Sequence, residues 1–507
     1  MSMDKQSTKR GQGSPRKETA RPRGEAPRPG GAAKPGAGAA AKPASGGAQR
    51  RAPSPRGPRE AALNVLLRVD QQGAYSGLEL NRVLSAAALS RQDAALATEI
   101  VYGTIQRLNT IDRVLKERVK GWPNKVEPWV RSLLRLSYYQ LRWLDRVPAH
   151  AVTDEAVRIA KKRGHAGIAG LVNGVLRGLV REGLASELPS GLGDAERISL
   201  THSYPEWLVK RWIDVYGAET AEAICEAGNE PPQSSARVNP TRISRSELLE
   251  RMDEAQIYAR PSKLAPGGIV ASRAGSLAAT DWYREGLLTV QDESSMLVAA
   301  VAGPKPGMRV LDCCAAPGGK TTHLAELMGD AGEVVANDIH PHKEALVAEQ
   351  AARLGLRSIR TVVGDAAGLA DTLPAASMDV VLLDAPCSGL GVIRRKPEIK
   401  WNKSEEDIAG LAALQAELLE KVHSLVRPGG TLVYSTCTIA KEENEEAILR
   451  FLEKHPNYMP DTDWPQEIIE SLKQGGALPE PFAGMVQLLP QQFGSDGFFI
   501  AKLKRLP

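Results

Sequence analysis

From about Leu288 onward the chain alternates short runs rich in β-branched residues with stretches of helical period, and nothing else in its 507 residues constrains the fold as tightly. A strand followed by a helix cannot turn back as a hairpin. It crosses over and lays the next strand parallel, so repeated units build a parallel sheet with helices on its faces. Candidate strands fall at 309–312, 334–337, 360–363, 379–383 and 431–434. The segments MVQLLP from Met485 and GFFIAKL from Gly497 read as a closing hairpin that adds an antiparallel edge strand. An α/β, Rossmann-like domain over 288–507 is the expectation.

The first unit of that domain carries a ligand-binding turn. VLDCCAAPGGKTTHLAEL, 310–327, runs from an apolar strand through small residues and Gly318-Gly319 into a helix whose first N–H groups lack helical partners. It is not a phosphate loop, because GxxxxGK[ST] requires glycine where Cys314 stands, and the GxGxxG spacing is absent too. Acids close the later strands: Asp338 in VVANDIH, Asp365 in VVGDA and Asp384 in VLLDAP. Each alone is as good a helix cap as a ligand contact. All three sit at the sheet edge where doubly wound folds bind ligands, and Asp338, about 20 residues past the glycines, stands where a ribose hydroxyl acceptor is expected. Together they favour a cofactor that contains adenosine and is held without a phosphate clamp.

Two cysteines follow apolar runs in the same domain, Cys387 in PCSGLG and Cys437 in STCT. Thiols at neighbouring strand ends can share one reaction, one attacking while the other handles a proton. A lone cysteine there is more often a small buried apolar residue. Five cysteines with no CxxC pair argue against a disulfide framework and a structural zinc site, and no metal is expected. No apolar stretch reaches the ~18 residues of a membrane span, and the N-terminus lacks a signal peptide's apolar segment. A cytoplasmic protein is expected.

Residues 1–56 are mostly Gly, Pro, Ala, Lys and Arg, too poor in bulky apolar groups to offset the entropy of ordering, and read as a disordered basic tail. Residues 1–58 hold 13 Lys/Arg against 3 Asp/Glu, leaving 52 against 57 in the other 449, so the net charge of +5 belongs to the tail. Attraction to RNA phosphates and simple solubilisation describe it equally well. Over 57–184 the period is helical, with Ala62, Val65, Leu66 and Val69 at i, i+3, i+4 and i+7 and Ser90 capping a run through Ile105. Polar faces there carry Arg107, Arg131, Arg135, Lys161, Lys162, Arg163 and Arg177, either a solvated face or an RNA-binding one. Residues 185–287 mix helix signals with strand candidates at 236–238 and 269–271, a small α+β module.

CAAPGGKT at 314–321, DAPCSGLGVIRRKPEIKW at 384–401 and YSTCT at 434–438 resemble the motifs of RNA 5-methylcytosine methyltransferases of the RsmB/NOP family. NVLLRV, EIVYGTI and LVNGVLR, at 64–69, 99–105 and 171–177, resemble the NusB-type helical RNA-binding domain fused to some of them. RVNP at 237–240 and QDESS at 291–295 resemble segments ahead of the catalytic domain; by themselves they read only as a turn and a helix cap. The resemblance covers about 58–507. It implies S-adenosyl-L-methionine as cofactor, contacted along Cys314, Ala315, Ala316, Pro317, Gly318, Gly319 and Lys320 and through Asp338, Asp365 and Asp384. It implies 16S ribosomal RNA as substrate, before or during small-subunit assembly, with Cys437 as nucleophile and Cys387 assisting product release. Cys313 and Gln491 depart from the family's usual residues, outside the catalytic motifs.

The chemistry of cytosine explains why two thiols are useful. Carbon 5 is a weak nucleophile; a thiolate adding at C6 makes it enamine-like, and the C5 proton must later leave so that the thiolate can be expelled. Asp384 is placed to hydrogen-bond the base near N3, and Lys320 to lower a thiol pKa or orient the site. Arg394, Arg395, Lys396 and Lys400 with Trp401 are expected to offer phosphate contacts and a stacking surface to a single-stranded or flipped base. A catalytically silent assembly factor would need neither thiol, an exocyclic-amine methyltransferase would carry an NPPY-like loop in place of DAPC, and a transfer-RNA C5 methyltransferase remains an alternative. A monomer is favoured.

Overall fold

The computed structural model describes residues 57–87, 89–184, 188–272 and 275–507; the expected tail at 1–56 lies outside them. The N-terminal part consists of helices Pro58–Gln72, Ser76–Ala86, Arg91–Gln106, Leu108–Arg118, Pro128–Trp143, Ala149–Arg163 and Ala166–Glu182. Pro58 opens the first, where its missing N–H costs nothing. Ser90 caps the third by accepting from the Asp93 N–H, as the sequence suggests. Ala62, Val65 and Leu66 join Ile100, Ile111 and Leu133 in one apolar core, with Val69 packed at its margin.

The basic faces of these helices are less free than their sequence suggests. Arg135 is buried against Trp122 and pairs with Asp112 at 2.6 Å and Asp70 at 3.0 Å. Arg131 shares Asp70, and Lys162 pairs with Glu60 at 2.6 Å. Lys161 and Arg177 stay exposed and line a groove of about 700 Å³ between the last two helices.

Helices Asp194–His202, Glu206–Tyr216 and Ala218–Ala227 lead into a small sheet of β1 (Ser234–Val238), β2 (Tyr258–Pro261), β3 (Gly268–Ser272) and β4 (Leu288–Val290). Its order is β2-β3-β1-β4, antiparallel throughout, and helix Arg245–Glu254 shares its apolar core. The second sheet holds β5 (Arg309–Asp312), β6 (Glu333–Asp338), β7 (Ile359–Val363), β8 (Met378–Asp384), β9 (Val426–Thr436), β10 (Tyr458–Pro460), β11 (Met485–Leu488) and β12 (Phe498–Arg505). Its order is β10-β12-β9-β8-β5-β6-β7, with β11 pairing β12. From β7 to β9 all pairs are parallel, because helices Gly319–Leu327, Pro341–Leu354 and Glu405–Val422 supply the crossovers. Strand interiors such as Val380–Leu383 are apolar on both faces, as a sheet covered on both sides requires.

The C-terminal strand is not at the edge. β12 pairs β9 on one side and β11 and β10 on the other, and Phe498, Phe499, Ile500 and Ala501 are all buried. Consecutive apolar residues that fill both faces belong inside a sheet, and the edge strand of the closing hairpin is β11, which pairs antiparallel with β12. The chain moves from β5 outward to β6 and β7, then returns to the other side of β5 with β8. That reversal opens a crevice at the carboxyl ends of β5 and β8, the place where doubly wound sheets take ligands.

The segment after β8 corrects an expectation. Lys400 is 1% exposed, and its ammonium donates to the Gln106 and Ser203 carbonyls, both at 3.2 Å, and to Asn229 Oδ1 at 2.8 Å. Trp401 packs on the N-terminal helical core and its Nε1 donates to the Ile105 carbonyl at 2.8 Å. Arg394 is buried and donates to the Pro490 and Gly494 carbonyls, while Arg395 sits between two aspartates. The run therefore fastens three parts of the molecule together, and of its four cations Lys396 is the exposed one. Charge clusters read from sequence cannot reveal acceptors contributed by segments 170 to 300 residues away.

Candidate active site

β8 and β9 run side by side, so the loops leaving their carboxyl ends meet. Cys387 and Cys437 lie in those loops with their sulfurs 3.4 Å apart. The two sulfurs share a hydrogen bond, and this bond holds Cys437 below the usual cysteine range. Burial and Asp384 oppose the shift; the Lys320 and Lys396 charges assist it. The same bond, then burial, pushes Cys387 well above that range. One thiol is thus poised to be a thiolate and the other to stay protonated.

Buried polar groups fix both loops. Glu443 accepts from the Ser388 N–H at 2.8 Å, from the Ser388 hydroxyl, and from Gln415 Nε2 at 3.0 Å. Ser388 Oγ also meets Thr438 Oγ1 at 2.7 Å, tying one cysteine loop to the other. Gly391 donates its N–H to the Cys437 carbonyl at 3.0 Å, and a Cβ there would stand 1.9 Å from the Gly497 carbonyl oxygen. Only glycine allows that approach.

Asp384, at the end of β8, accepts from Lys320 Nζ at 2.7 Å and from Ser435 Oγ at 2.7 Å. Burial lowers the Lys320 pKa, but Asp384 more than offsets it and the ammonium stays charged. Lys320 also lies 5.1 Å from the Phe498 ring centroid. A cavity of about 640 Å³ unites these groups with the glycine turn: Cys314, Ala315, Ala316, Pro317, Gly319, Lys320, Asp384, Cys437 and Phe498 all line it. Gly318 adopts φ +99 and carries the turn against Val347, where a Cβ would come within 3.2 Å of the Val347 Cα.

The other predicted acids lie along the same sheet edge but not in that cavity lining. Asp338 accepts from the His340 N–H at 3.0 Å before helix Pro341–Leu354, and exposed Asp365 accepts from the Ala367 N–H at 3.0 Å. Four groups emerge that the sequence reading did not place here. Asp312 ends β5 inside the cavity, fully buried, and burial pushes its carboxyl up to about 7. Asp292, Arg395 and Asp496 form a linked set at another part of the wall. QDESS had signalled only a cap for Asp292, which it provides by accepting from the Ser294 N–H at 3.0 Å.

The acceptor-rich wall suits a cofactor that presents an ammonium, ribose hydroxyls and an adenine amine, all donors. Beside the turn, Asn337 spends its amide N–H groups on the Cys313 and Gly364 carbonyls, at 2.9 and 3.0 Å, and its buried Oδ1 has no partner among the described residues. A buried acceptor of that kind is one that a ligand donor can complete. A parallel sheet with its switch point beside a glycine turn, no phosphate loop and acids at the strand ends defines an S-adenosylmethionine-dependent methyltransferase.

Comparison with known proteins agrees. Residues 299–504 match the 16S rRNA methyltransferase RsmB/F family, 56–181 the NusB family and 204–278 the ferredoxin-like domain of RsmF/B-like methyltransferases. A probable ribosomal RNA small subunit methyltransferase B of Bacillus subtilis (strain 168) is 44% identical over 449 residues, 88% of this chain and 98% of that one. Its counterpart in Synechocystis sp. is 37% identical over 450 residues, 88% and 99% of the two chains. The crystal structure of PH0851 matches with a TM-score of 0.73 at 27% identity, covering 88% of this chain and 99% of that one. This chain belongs to the ribosomal RNA small subunit methyltransferase B family.

Proposed function

We propose that this protein methylates C5 of a cytosine in 16S ribosomal RNA through a covalent adduct at Cys437, resolved with the help of Cys387. The observation that carries the reading is the pair of sulfurs 3.4 Å apart with opposite pKa shifts. The relatives' names point to small-subunit ribosomal RNA as the substrate. No helix among the described residues is long and apolar enough to cross a membrane.

Cys437, as thiolate, adds to C6 of the base, and the electron pair of the C5–C6 bond becomes available at C5. The turn from Cys314 to Lys320, with Asn337 and Asp338, would hold S-adenosylmethionine, which would supply the methyl group that bonds to C5 and leave as S-adenosylhomocysteine. Lys320, kept charged by Asp384, faces the base and offsets the negative charge that the addition places on its ring. Once the Cys437 sulfur is bonded to carbon it no longer takes a hydrogen bond from Cys387. With the Cys437 charge and that bond gone, two of the causes that kept Cys387 protonated are removed; its thiol gives up its proton and, as thiolate, takes the proton from C5. The C5–H electrons re-form the double bond and expel Cys437. Outside the catalytic centre, the helices over 57–184 serve as the RNA-holding domain, with Lys161 and Arg177 on an exposed groove.

The test uses the full chain and undermodified small-subunit RNA. Cys437→Ala is expected to abolish methyl transfer, and Cys387→Ala to accumulate a protein–RNA adduct that survives denaturing electrophoresis. Normal turnover by the Cys387 variant, with no adduct, would show that the labour is not divided in this way. Bisulfite sequencing of a deletion strain locates the cytosine.

A further inference from the structure

Asp496 stands in the wall of the cavity that holds Cys437, and half of its carboxylate is unspent. Its Oδ2 accepts from Arg395 Nε at 2.7 Å, and its backbone N–H donates to Asp292 Oδ1 at 3.2 Å. Arg395 continues to Asp292 Oδ2 at 2.7 Å. Asp496 Oδ1 is buried and has no partner among the described residues, in a residue only 3% exposed. Two carboxylates thus share one guanidinium. The neighbouring Arg394 does not complete the set, since its hydrogen bonds go to the Pro490 and Gly494 carbonyls.

Register and the cavity lining place Asp496 on the wall it shares with Cys437. Phe499 pairs with Thr436 across β12 and β9, so Phe498 stands opposite Cys437. In extended chain, residues two apart point the same way. Asp496 and Phe498 accordingly share the cavity, with Gly497 between them pressed onto Gly391, which itself bonds the Cys437 carbonyl. A buried acceptor beside an aromatic ring and a nucleophile is fitted to a planar ligand that carries an N–H donor on its edge.

We propose that Asp496 Oδ1 receives the exocyclic 4-amino group of the target base, making Asp496 the residue that selects cytosine over uracil. The inference rests on the cytosine reading above and assigns the selection to a side chain outside the two cysteine motifs. Uracil presents a carbonyl at the same position, and two acceptors facing one another in a dry site are strongly disfavoured. Burial first, and the Asp292 charge second, already push the Asp496 carboxyl up to about 7. An amine arriving at Oδ1 supplies the donor that the carboxylate lacks.

The test compares RNA fragments that carry cytidine, uridine or the 2-pyrimidinone riboside, which lacks the amine, at the mapped position. Single-turnover rates are measured for the full-length protein, Asp496→Asn and Asp496→Ser, with calorimetric binding of S-adenosylhomocysteine reporting that each variant is folded. In Asp496→Asn the Arg395 guanidinium keeps the amide oxygen and turns the NH2 group toward the base. Cytidine should then slow by about 10- to 100-fold while uridine speeds up, so the cytidine-to-uridine ratio falls by at least that factor. Asp496→Ser should react with cytidine and the 2-pyrimidinone at nearly equal rates. Unchanged ratios in both variants, whether the rates fall or not, would reduce Asp496 to an anchor for Arg395 and overturn the inference. A wild-type protein that leaves every cytidine fragment unmethylated would instead overturn the cytosine reading itself.

Discussion

At the scale of single residues, the first cause of the lowered Cys437 pKa is its hydrogen bond to Cys387, and its effect can be measured without any RNA. A lowered pKa means that thiolate is present at lower pH, so alkylation of Cys437 by iodoacetamide should rise with pH and level off earlier than at an ordinary cysteine. In Cys387→Ala the donor is gone while burial and Asp384 still oppose ionisation, and the midpoint should move up. Mass spectrometry of the Cys437 peptide from about pH 6 to 10 reads both curves; an unmoved midpoint would refute the role of the Cys387 thiol. Both cysteines, the glycine turn and Asp384 were legible because each lies in a short local motif at a strand end. The Lys320–Asp384 pair and the Asp292–Arg395–Asp496 set were not. Their members stand 64 to 204 residues apart and meet only after the sheet has formed.

At the scale of elements, the period of hydrophobicity located the five parallel strands but not the place of the last one, since apolar residues on both faces say "buried" without naming neighbours. The burial of segment 394–401 is not legible in the sequence for a related reason: Lys and Arg count as surface residues unless their acceptors are visible. Lys400 shows what that costs. Burial lowers its pKa well below the usual lysine value, yet three oxygens and the Tyr204 ring, 3.7 Å from the ammonium, surround it. Lys400→Met keeps the bulk and strands three buried acceptors. Urea unfolding should show a loss of about 2–4 kcal/mol. Lys396→Met, in the same segment but exposed, should change stability by less than ~0.5 kcal/mol, and equal effects would contradict the buried role.

At the scale of the whole molecule, residues 398–402 join parts that lie far apart in sequence. Glu398 accepts from the Ser76 N–H and hydroxyl at 3.0 and 2.7 Å, Trp401 enters the N-terminal helical core, and Ile399 joins an apolar cluster with Tyr204, Trp212 and Ile439. The loop that begins at Cys387 therefore ends inside another domain. Trp401→Ala should weaken that attachment by about 2–3 kcal/mol, less than a fully buried aromatic because the indole is only partly covered. Hydrogen exchange should then quicken in helices Ser76–Ala86 and Arg91–Gln106 and in residues 388–402, while the strands of the large sheet keep their protection. If RNA held by the N-terminal helices is delivered to Cys437 through this attachment, the same variant should raise KM for RNA several-fold and leave affinity for S-adenosylhomocysteine unchanged. Faster exchange with an unaltered KM would separate the mechanical link from substrate delivery, because the helices would then be shown to loosen without consequence for the site they adjoin.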